Sequence, residues 1–446
     1  MEVEAWLPRA AATRGEHTAL STPQGDWSYA RLHAAARFAA GELAARGARR
    51  GERVAIALPA GLEFAQALHA CLLLGAVAVP IDLRLSAAEQ ARLAAGAALL
   101  VDAPVGEGDA RADAPILPAH DLDAAAVVIH TSGTTAQPRA VELTYGNLLW
   151  SALGSAVALG LDPRERWLCA LPLSHVGGLS ILLRSAIYAT SAVVHERFEV
   201  EPVKHALETQ EVTLVSLVAT TLARLLEAGL RAPPSLRCAL TGGGPVPAAL
   251  LDRARDAGVP VALTYGLTES CSQVTTTPVA EIARATAAGA ANAGPPLFCT
   301  RVRIADDGEI LVAGPTVAPA APAADGWLHT GDLGELDDAG RLRVSGRKAD
   351  TIVSGGENVA PAEVEAVLEA HPLVAEAAVL GRADPQWGEA VSAIVVARPG
   401  ARLDVEELRA HCAASLAPFK VPKHYALAAQ PLPRTRSGKL LRRQLR

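Results

Sequence analysis

Aromatic side chains make up only 4% of the 446 residues, and there is a single methionine. A chain this short of rings must build its core from small aliphatics, and half of its residues are hydrophobic, so such a core is available. Excess positive charge is also missing: the net charge of −6 gives no reason to expect nucleic acid as a partner. The basic cluster Lys439, Arg442, Arg443 and Arg446 reads by itself as a solvated tail. No C-x-x-C pair occurs among Cys71, Cys169, Cys238, Cys271, Cys299 and Cys412. Scattered cysteines of this kind suit buried free thiols in a reducing compartment, not disulfides or zinc. Met1-Glu2-Val3-Glu4 carries no secretory apolar run, and the longest apolar stretch, Ala67 to Ile81, is too short to span a bilayer. A soluble cytoplasmic protein without membrane attachment is expected. The Walker A pattern, G-x-x-x-x-G-K-[ST], is absent as well.

What is present is an apolar, strand-like run from Ala124 to Ile129 that feeds Thr131-Ser132-Gly133-Thr134-Thr135, then Pro138 and the cation Arg139. Backbone amides and hydroxyls in such a loop can wrap phosphate oxygens, although a Ser/Thr-rich surface turn has the same composition. The length allows two or three domains. Strand-like runs at Arg53–Leu58, Ala76–Val79, Arg166–Ala170, Ala192–Val194, Thr213–Val218, Leu236–Thr241 and Val261–Tyr265 alternate with helical stretches such as Ala60–Leu74, Thr220–Ala228 and Pro247–Ala257. Ser86-Ala87-Ala88-Glu89 is a capping box opening a further helix. This alternation predicts an α/β fold with parallel sheets, whose ligands sit beyond the carboxyl ends of the strands. Gly242-Gly243-Gly244 and Tyr265-Gly266 fall at two more such ends. From Ala293 the pattern turns to short strands, at Val302–Ile304, Glu309–Val312 and Arg341–Val344, predicting a small β-rich subdomain. After Gly346, helices opening at Pro361 and near Asp404 flank strands at Val374–Leu380 and Val391–Val396. This predicts a compact α+β module, with domains 1–346 and 347–446.

Six motifs then stand in one order: Thr131–Thr135; Tyr265-Gly266-Leu267-Thr268-Glu269; Trp327-Leu328-His329-Thr330-Gly331-Asp332; Gly346-Arg347; Ser354-Gly355-Gly356-Glu357-Asn358; and Pro433-Arg434-Thr435-Arg436-Ser437-Gly438-Lys439. In this the chain resembles, over essentially its whole length, the adenylate-forming superfamily of acyl-CoA ligases, adenylation domains and luciferases. The resemblance implies a large N-terminal domain and a small mobile C-terminal one. It implies ATP, Mg²⁺ and coenzyme A as cofactors, and a small carboxylic acid as the further partner. The Thr131–Arg139 loop would hold the β- and γ-phosphates, and Gly242, Gly243 and Gly244 would let adenine and acyl group approach the backbone. Tyr265 would stack on adenine beside Gly266, Thr268 would donate to the α-phosphate, and Glu269 would ligate Mg²⁺. Asp332 would accept both ribose hydroxyls, and Arg347 would reach ribose or phosphate. Lys439 would stabilise the charge that builds as a carboxylate attacks the α-phosphate. Rotation about a pivot at Ala349 would then withdraw Lys439 and bring Gly355 and Gly356 to the thioester site.

Departures from the superfamily pattern are Ala136 and Ala140 in place of glycine, Arg139 in place of lysine, and an alanine at the pivot. They bear on loop mobility and turnover more than on nucleotide binding. Within the superfamily, Leu171-Pro172-Leu173-Ser174-His175-Val176-Gly177-Gly178-Leu179 through Ser185, with Cys271-Ser272-Gln273 and Ala293–Phe298, resembles the o-succinylbenzoate–CoA ligases of menaquinone synthesis. His175 would then close the acyl pocket, with Gly266 and Ser272 lining it. Arg184 would meet the second, unreacted carboxylate of the acid, whose burial without a cation is costly. Three alternatives stay open. They are a CoA ligase for another aryl or medium-chain acid, a nucleotide-binding protein without ligase activity, and a domain loading a carrier protein, the last weakened because no carrier domain follows Arg446. A homodimer is compatible with the sequence.

Overall fold

The computed structural model describes residues 1–106, 116–131, 139–282, 292–354, 357–385, 387–434 and 440–445. Two parallel-rich sheets dominate the N-terminal part. The first has the strand order Leu99–Val101, Arg53–Ile56, Val77–Pro80, Ala125–Thr131, Arg139–Thr144. Its first four strands are parallel, and the last folds back antiparallel on its neighbour. The second sheet is larger. Parallel strands Val261–Tyr265, Cys238–Thr241, Leu214–Leu217, Arg166–Cys169, Ser191–Val194 and Thr18–Thr22 form its body, closed by antiparallel Thr275–Thr276 at one edge and Gly25–Ser28 at the other.

Alanine makes close helix packing possible. The helix Tyr29–Ala45 buries Leu32, Ala36, Ala39, Ala40 and Leu43, an i, i+4, i+7 stripe, in the same core as Phe64, Ala67, Leu68 and Cys71 of the helix Leu62–Leu74. Two of the scarce rings also place a polar tip on a partner. The Tyr29 hydroxyl donates to the carbonyls of Ser185 and Thr190, at 2.7 and 2.6 Å, and Trp167 Nε1 donates to Ser216 Oγ at 3.0 Å. Sequence signals for helix starts match the structure. Ser86 and Glu89 form a reciprocal capping box before Ala87–Ala94, and Asp404 accepts from the amides of Glu406 and Glu407.

A four-stranded antiparallel sheet follows, Arg301–Ile304, Glu309–Ala313, Leu328–Leu336 and Leu342–Arg347. Its third strand is absent from the sequence reading, because Thr330-Gly331-Asp332 break the apolar alternation at its centre. A 3₁₀ turn, Lys348–Asp350, leads into the last module. There Val374–Asp384 and Gly388–Ala397 form a long antiparallel pair, and His424–Ala428 lies parallel to the second of them. The helices Pro361–Glu369 and Val405–Ser415 contribute Val364, Leu368, Leu408 and Cys412 to a core of their own. All six cysteines are free and buried, as composition led one to expect. Among the described residues, no helix is long and apolar enough to cross a membrane.

Candidate active site

Thr131 ends its strand opposite Arg139 in the antiparallel register, and its hydroxyl donates to the Arg139 carbonyl at 3.3 Å. These two residues form the neck of the loop expected to hold phosphate. Ser132, Gly133, Thr134, Thr135 and Ala136 lie outside the described residues. In the larger sheet, the adjacent strands Cys238–Thr241 and Val261–Tyr265 deliver Gly242–Gly244 and Tyr265–Glu269 at their carboxyl ends. The three glycines are not equivalent. A Cβ on Gly242 would lie 2.7 Å from the Thr264 carbonyl oxygen, so this glycine serves strand-to-strand packing, whereas Gly244 faces open space. A Cβ on Gly266 would fall 1.5 Å from the Ser272 carbonyl oxygen, so the chain can double back here only on glycine. The return passes through a 3₁₀ turn, Thr268–Ser270, and two left-handed residues, Cys271 (φ 54) and Ser272 (φ 89). Outside glycine such conformations are strained and concentrate at functional sites.

Asp332 is the meeting point of two sheets. It is buried; its Oδ2 accepts the Tyr265 hydroxyl at 2.9 Å, and its Oδ1 lies 2.8 Å from Arg347 Nε on the neighbouring strand. Burial, and after it the Asp332 charge, push the Tyr265 pKa upward, so the phenol stays a donor. Both Asp332 oxygens expected on ribose therefore hold protein donors here, and Arg347, expected on ribose or phosphate, is one of them. Glu309, which sequence reasoning missed, stands behind this group. Its Oε1 accepts the Gly331 amide at 2.8 Å, and its Oε2 accepts Lys348 Nζ at 3.2 Å. Burial opposes its ionisation, but the Gly331 amide and Lys348 prevail and hold its pKa below the ordinary glutamate value. Lys348 also reaches Asp307 at 2.5 Å, so the two residues before Ala349 are both fastened to the small sheet.

The acyl side begins at His175, the N-cap of the helix Val176–Tyr188. Its Nε2 lies 3.2 Å from Arg84 Nη2 and 3.9 Å from Asp82 Oδ2, at the carboxyl edge of the first sheet. The Asp82–Arg84 pair is joined at 2.6 Å; burial raises the Asp82 pKa, but the arginine's hydrogen bonds outweigh it and the net shift is downward. Nine residues along the same helix, roughly 13 Å away by helix rise, Arg184 is 3% exposed. Its Nη2 donates to Ser151 Oγ at 3.0 Å, and that hydroxyl donates onward to the Cys271 carbonyl at 2.6 Å. The guanidinium lies 5.5 Å over the Trp167 ring, and its Nε has no hydrogen-bond partner among the described residues. Burial lowers its pKa, but a guanidinium starts high enough to remain charged. Arg184, Ser272 and Gly266 are thus joined through Ser151 and the Cys271–Ser272 turn, with His175 at the far end of the helix.

Lys439, Gly355 and Gly356 lie outside the described residues. On either side of the five residues ending in Lys439, Arg434 and Leu440 form an antiparallel bridge, Arg434 pairs with Glu376 at 2.8 Å, and Arg442 pairs with Glu365 at 2.6 Å. Glu269 contributes its backbone carbonyl to the Ala318 amide at 2.8 Å. Among the described residues no group of three or more His, Cys, Asp or Glu side chains converges on a metal position. A single carboxylate fits Mg²⁺, which is commonly held by one or two carboxylates plus substrate phosphates. Asp82, Arg84, Ser151 and Glu309 carried one faint sequence signal between them: the charged Asp82-Leu83-Arg84 directly after an apolar run.

With two α/β sheets, a small antiparallel sheet and an α+β module in this order, the chain belongs to the AMP-binding enzyme family. That family's profile matches residues 7–320, and its C-terminal domain matches residues 363–439. Along its length the chain is similar to the 2-succinylbenzoate–CoA ligase of Bacillus subtilis, 40% identical over 480 aligned residues covering 99% of this chain and 97% of the relative. The ligase of the same name from Bacillus velezensis is likewise 40% identical, over 99% and 97% of the two chains. Among solved structures, o-succinylbenzoate CoA synthetase from B. subtilis in complex with the acyl-adenylate intermediate OSB-AMP matches with a TM-score of 0.91 at 39% identity, covering 100% of this chain and 98% of the other. The B. subtilis synthetase with ATP and a magnesium ion matches at 0.90, also at 39% identity, with both chains fully covered.

Proposed function

We propose that this chain is an AMP-forming acid–CoA ligase that converts o-succinylbenzoate to o-succinylbenzoyl-CoA in menaquinone synthesis. The observation that carries the choice of acid is the end-to-end likeness to 2-succinylbenzoate–CoA ligases. Arg184 supplies a physical reason: a buried guanidinium paired with no carboxylate among the described residues suits an acid that keeps a second carboxylate.

The reaction runs in two steps. A carboxylate oxygen attacks the α-phosphorus of ATP, and the bond to pyrophosphate breaks. The CoA sulfur then attacks the acyl carbonyl, loses its proton, and AMP departs. Glu269 would hold Mg²⁺, which would supply positive charge at the phosphates. Thr131 and Arg139 set the neck of the phosphate loop, with Ser132, Gly133, Thr134 and Thr135 supplying donors. Gly243 and Gly244 leave backbone room for the nucleotide. The Tyr265 ring offers adenine a stacking face, while its hydroxyl holds Asp332 in place for ribose. Each Asp332 oxygen can accept more than one donor, so ribose hydroxyls can join the Tyr265 hydroxyl there while Arg347 turns to the nucleotide. Thr268 donates to the α-phosphate. His175, steadied by Arg84 and Asp82, closes one end of the acyl pocket, and Arg184, Ser272 and Gly266 form the other. Lys439 neutralises the two anions of the first step, and Gly355 and Gly356 serve the second. The domain division at residues 346 and 347, with Ala349 as pivot, is supported by the 3₁₀ turn and the paired anchors just before it.

Six buried free thiols favour a cytoplasmic enzyme, and sedimentation would decide between monomer and homodimer. The deciding assay is thioester formation over a panel containing o-succinylbenzoate and simple benzoates, alongside carboxylate-dependent pyrophosphate exchange. Efficient thioester formation with o-succinylbenzoate is expected. Formation with another acid and not with this one would overturn the substrate, and absence of exchange with every acid would overturn the ligase reading.

A further inference from the structure

The Leu328–Leu336 strand does not run evenly beside Glu309–Ala313. Glu309 faces Leu333 while Leu311 faces His329, so one strand advances two residues where the other advances four. The surplus falls on Thr330, Gly331 and Asp332. A bulge of this kind re-aims side chains, and it also removes backbone amides from the ladder, which must then find other acceptors. Two side chains provide them. The Gly331 amide donates to Glu309 Oε1 at 2.8 Å. The Asp332 amide donates to Thr330 Oγ1 at 3.1 Å, and the Thr330 hydroxyl donates to the Ile310 carbonyl at 2.7 Å. Gly331 sits at φ 70°, in the left-handed region. Glu309 is itself 7% exposed and is approached on its other oxygen by Lys348 and, at 3.5 Å, by His329 Nδ1.

We propose that Glu309 is a positioning residue of the nucleotide site: by holding the Gly331 amide it fixes the bulge that aims the Asp332 carboxylate at Tyr265 and at ribose. This rests on the reading of Asp332 as the ribose ligand. The property that matters is reach rather than charge, because Lys348 keeps Asp307 at 2.5 Å whatever happens at Glu309. Glu309→Asp keeps the charge but withdraws the carboxylate by one methylene, about 1.5 Å, from the amide. Glu309→Gln loses the charge and keeps an oxygen within reach.

KM for ATP, for the acid and for CoA, together with the melting temperature, would be measured for both variants and for Asp332→Asn. Glu309→Asp is expected to raise KM for ATP about tenfold, the usual consequence of losing a hydrogen bond to a charged group, while the other two KM values stay within about twofold. Glu309→Gln is expected to stay within about threefold for ATP, because a neutral acceptor remains on the amide. Thr330→Val, which removes the second support of the bulge, is expected to share the ATP-selective rise. Equal effects of Asp and Gln, a reversed order, or an unchanged KM for ATP in Glu309→Asp or Thr330→Val would overturn the proposal, provided Asp332→Asn raises that KM. A parallel rise of all three KM values with a lowered melting temperature would also overturn it, because that marks a general structural role. An unchanged KM for ATP in Asp332→Asn would instead overturn the ribose reading beneath it.

Discussion

The Tyr265 hydroxyl and the Asp332 carboxylate meet at 2.9 Å although they belong to different sheets. The bond ties the carboxyl end of a parallel strand to the bulge of an antiparallel one. Tyr265→Phe keeps the stacking ring and removes this tie. ATP affinity is expected to fall by about 1 kcal/mol, several-fold in Kd, with little change in melting temperature. Titration calorimetry with ATP checks this, and an unchanged Kd would mean that Asp332 needs no such support.

Arg184→Met fills the space of the guanidinium stem and deletes the charge over Trp167. KM for o-succinylbenzoate is expected to rise by about 2 kcal/mol, roughly thirtyfold, with KM for ATP nearly constant. The melting temperature should hold or increase, because a buried cation without a protein carboxylate is costly to fold around. An unmoved KM for the acid would remove Arg184 from the acyl pocket.

Lys439→Ala separates the two half-reactions. Acyl-adenylate formation, followed by pyrophosphate exchange, is expected to slow by at least about a hundredfold. Transfer to CoA from acyl-adenylate supplied ready-made is expected to persist. Exchange at the original rate would dismiss the lysine from the chemistry.

Glu369, in the C-terminal module, predicts a pH dependence of stability. Burial, with help from the Glu365 and Glu376 charges, lifts its pKa to about 7 from 4.5. Between these values the folded state holds a proton that the unfolded state has released, so stability falls as pH rises from 4.5 to about 7. Above that window the ionised carboxylate is a standing cost. Glu369→Gln should stabilise the module by about 3 kcal/mol at pH 8 and by almost nothing near pH 4. Urea unfolding at the two pH values tests this; a gain independent of pH would assign the effect to packing.

Much of this architecture was legible because periodicity and caps are local. Most of the parallel strands announced themselves as apolar runs, though Thr18–Thr22, Leu99–Val101 and His424–Ala428 did not, and Ser86, Pro361 and Asp404 marked their helices as written. Motif order singled out Thr131, Arg139, Tyr265 and Asp332, and the structure joins them in pairs, Thr131 with Arg139 and Tyr265 with Asp332. What stayed hidden depends on residues distant in the chain. Arg84 and His175 are 91 positions apart, and no neighbouring letter says that they touch. Glu309 looked like one more strand residue, because its task comes from a bulge in its partner. The strand Leu328–Leu336 was overlooked since its functional centre violates the alternation by which strands are recognised. Gly242 was legible as small but not as a packing residue, because its constraint is Thr264 on the adjacent strand.

The pairing of Leu20 with Ala192 has a consequence for how the molecule is made. The sheet that holds Thr131 and Arg139 draws all of its strands from Arg53 to Thr144, so a nascent chain can complete it early. The hairpin Thr18–Ser28 has no such luck: its seat is built by residues that leave the ribosome much later. During that interval it is an unclaimed edge, the kind that pairs with the wrong chain. Slower translation between these two points would lengthen the exposure, and yield on overexpression should follow it.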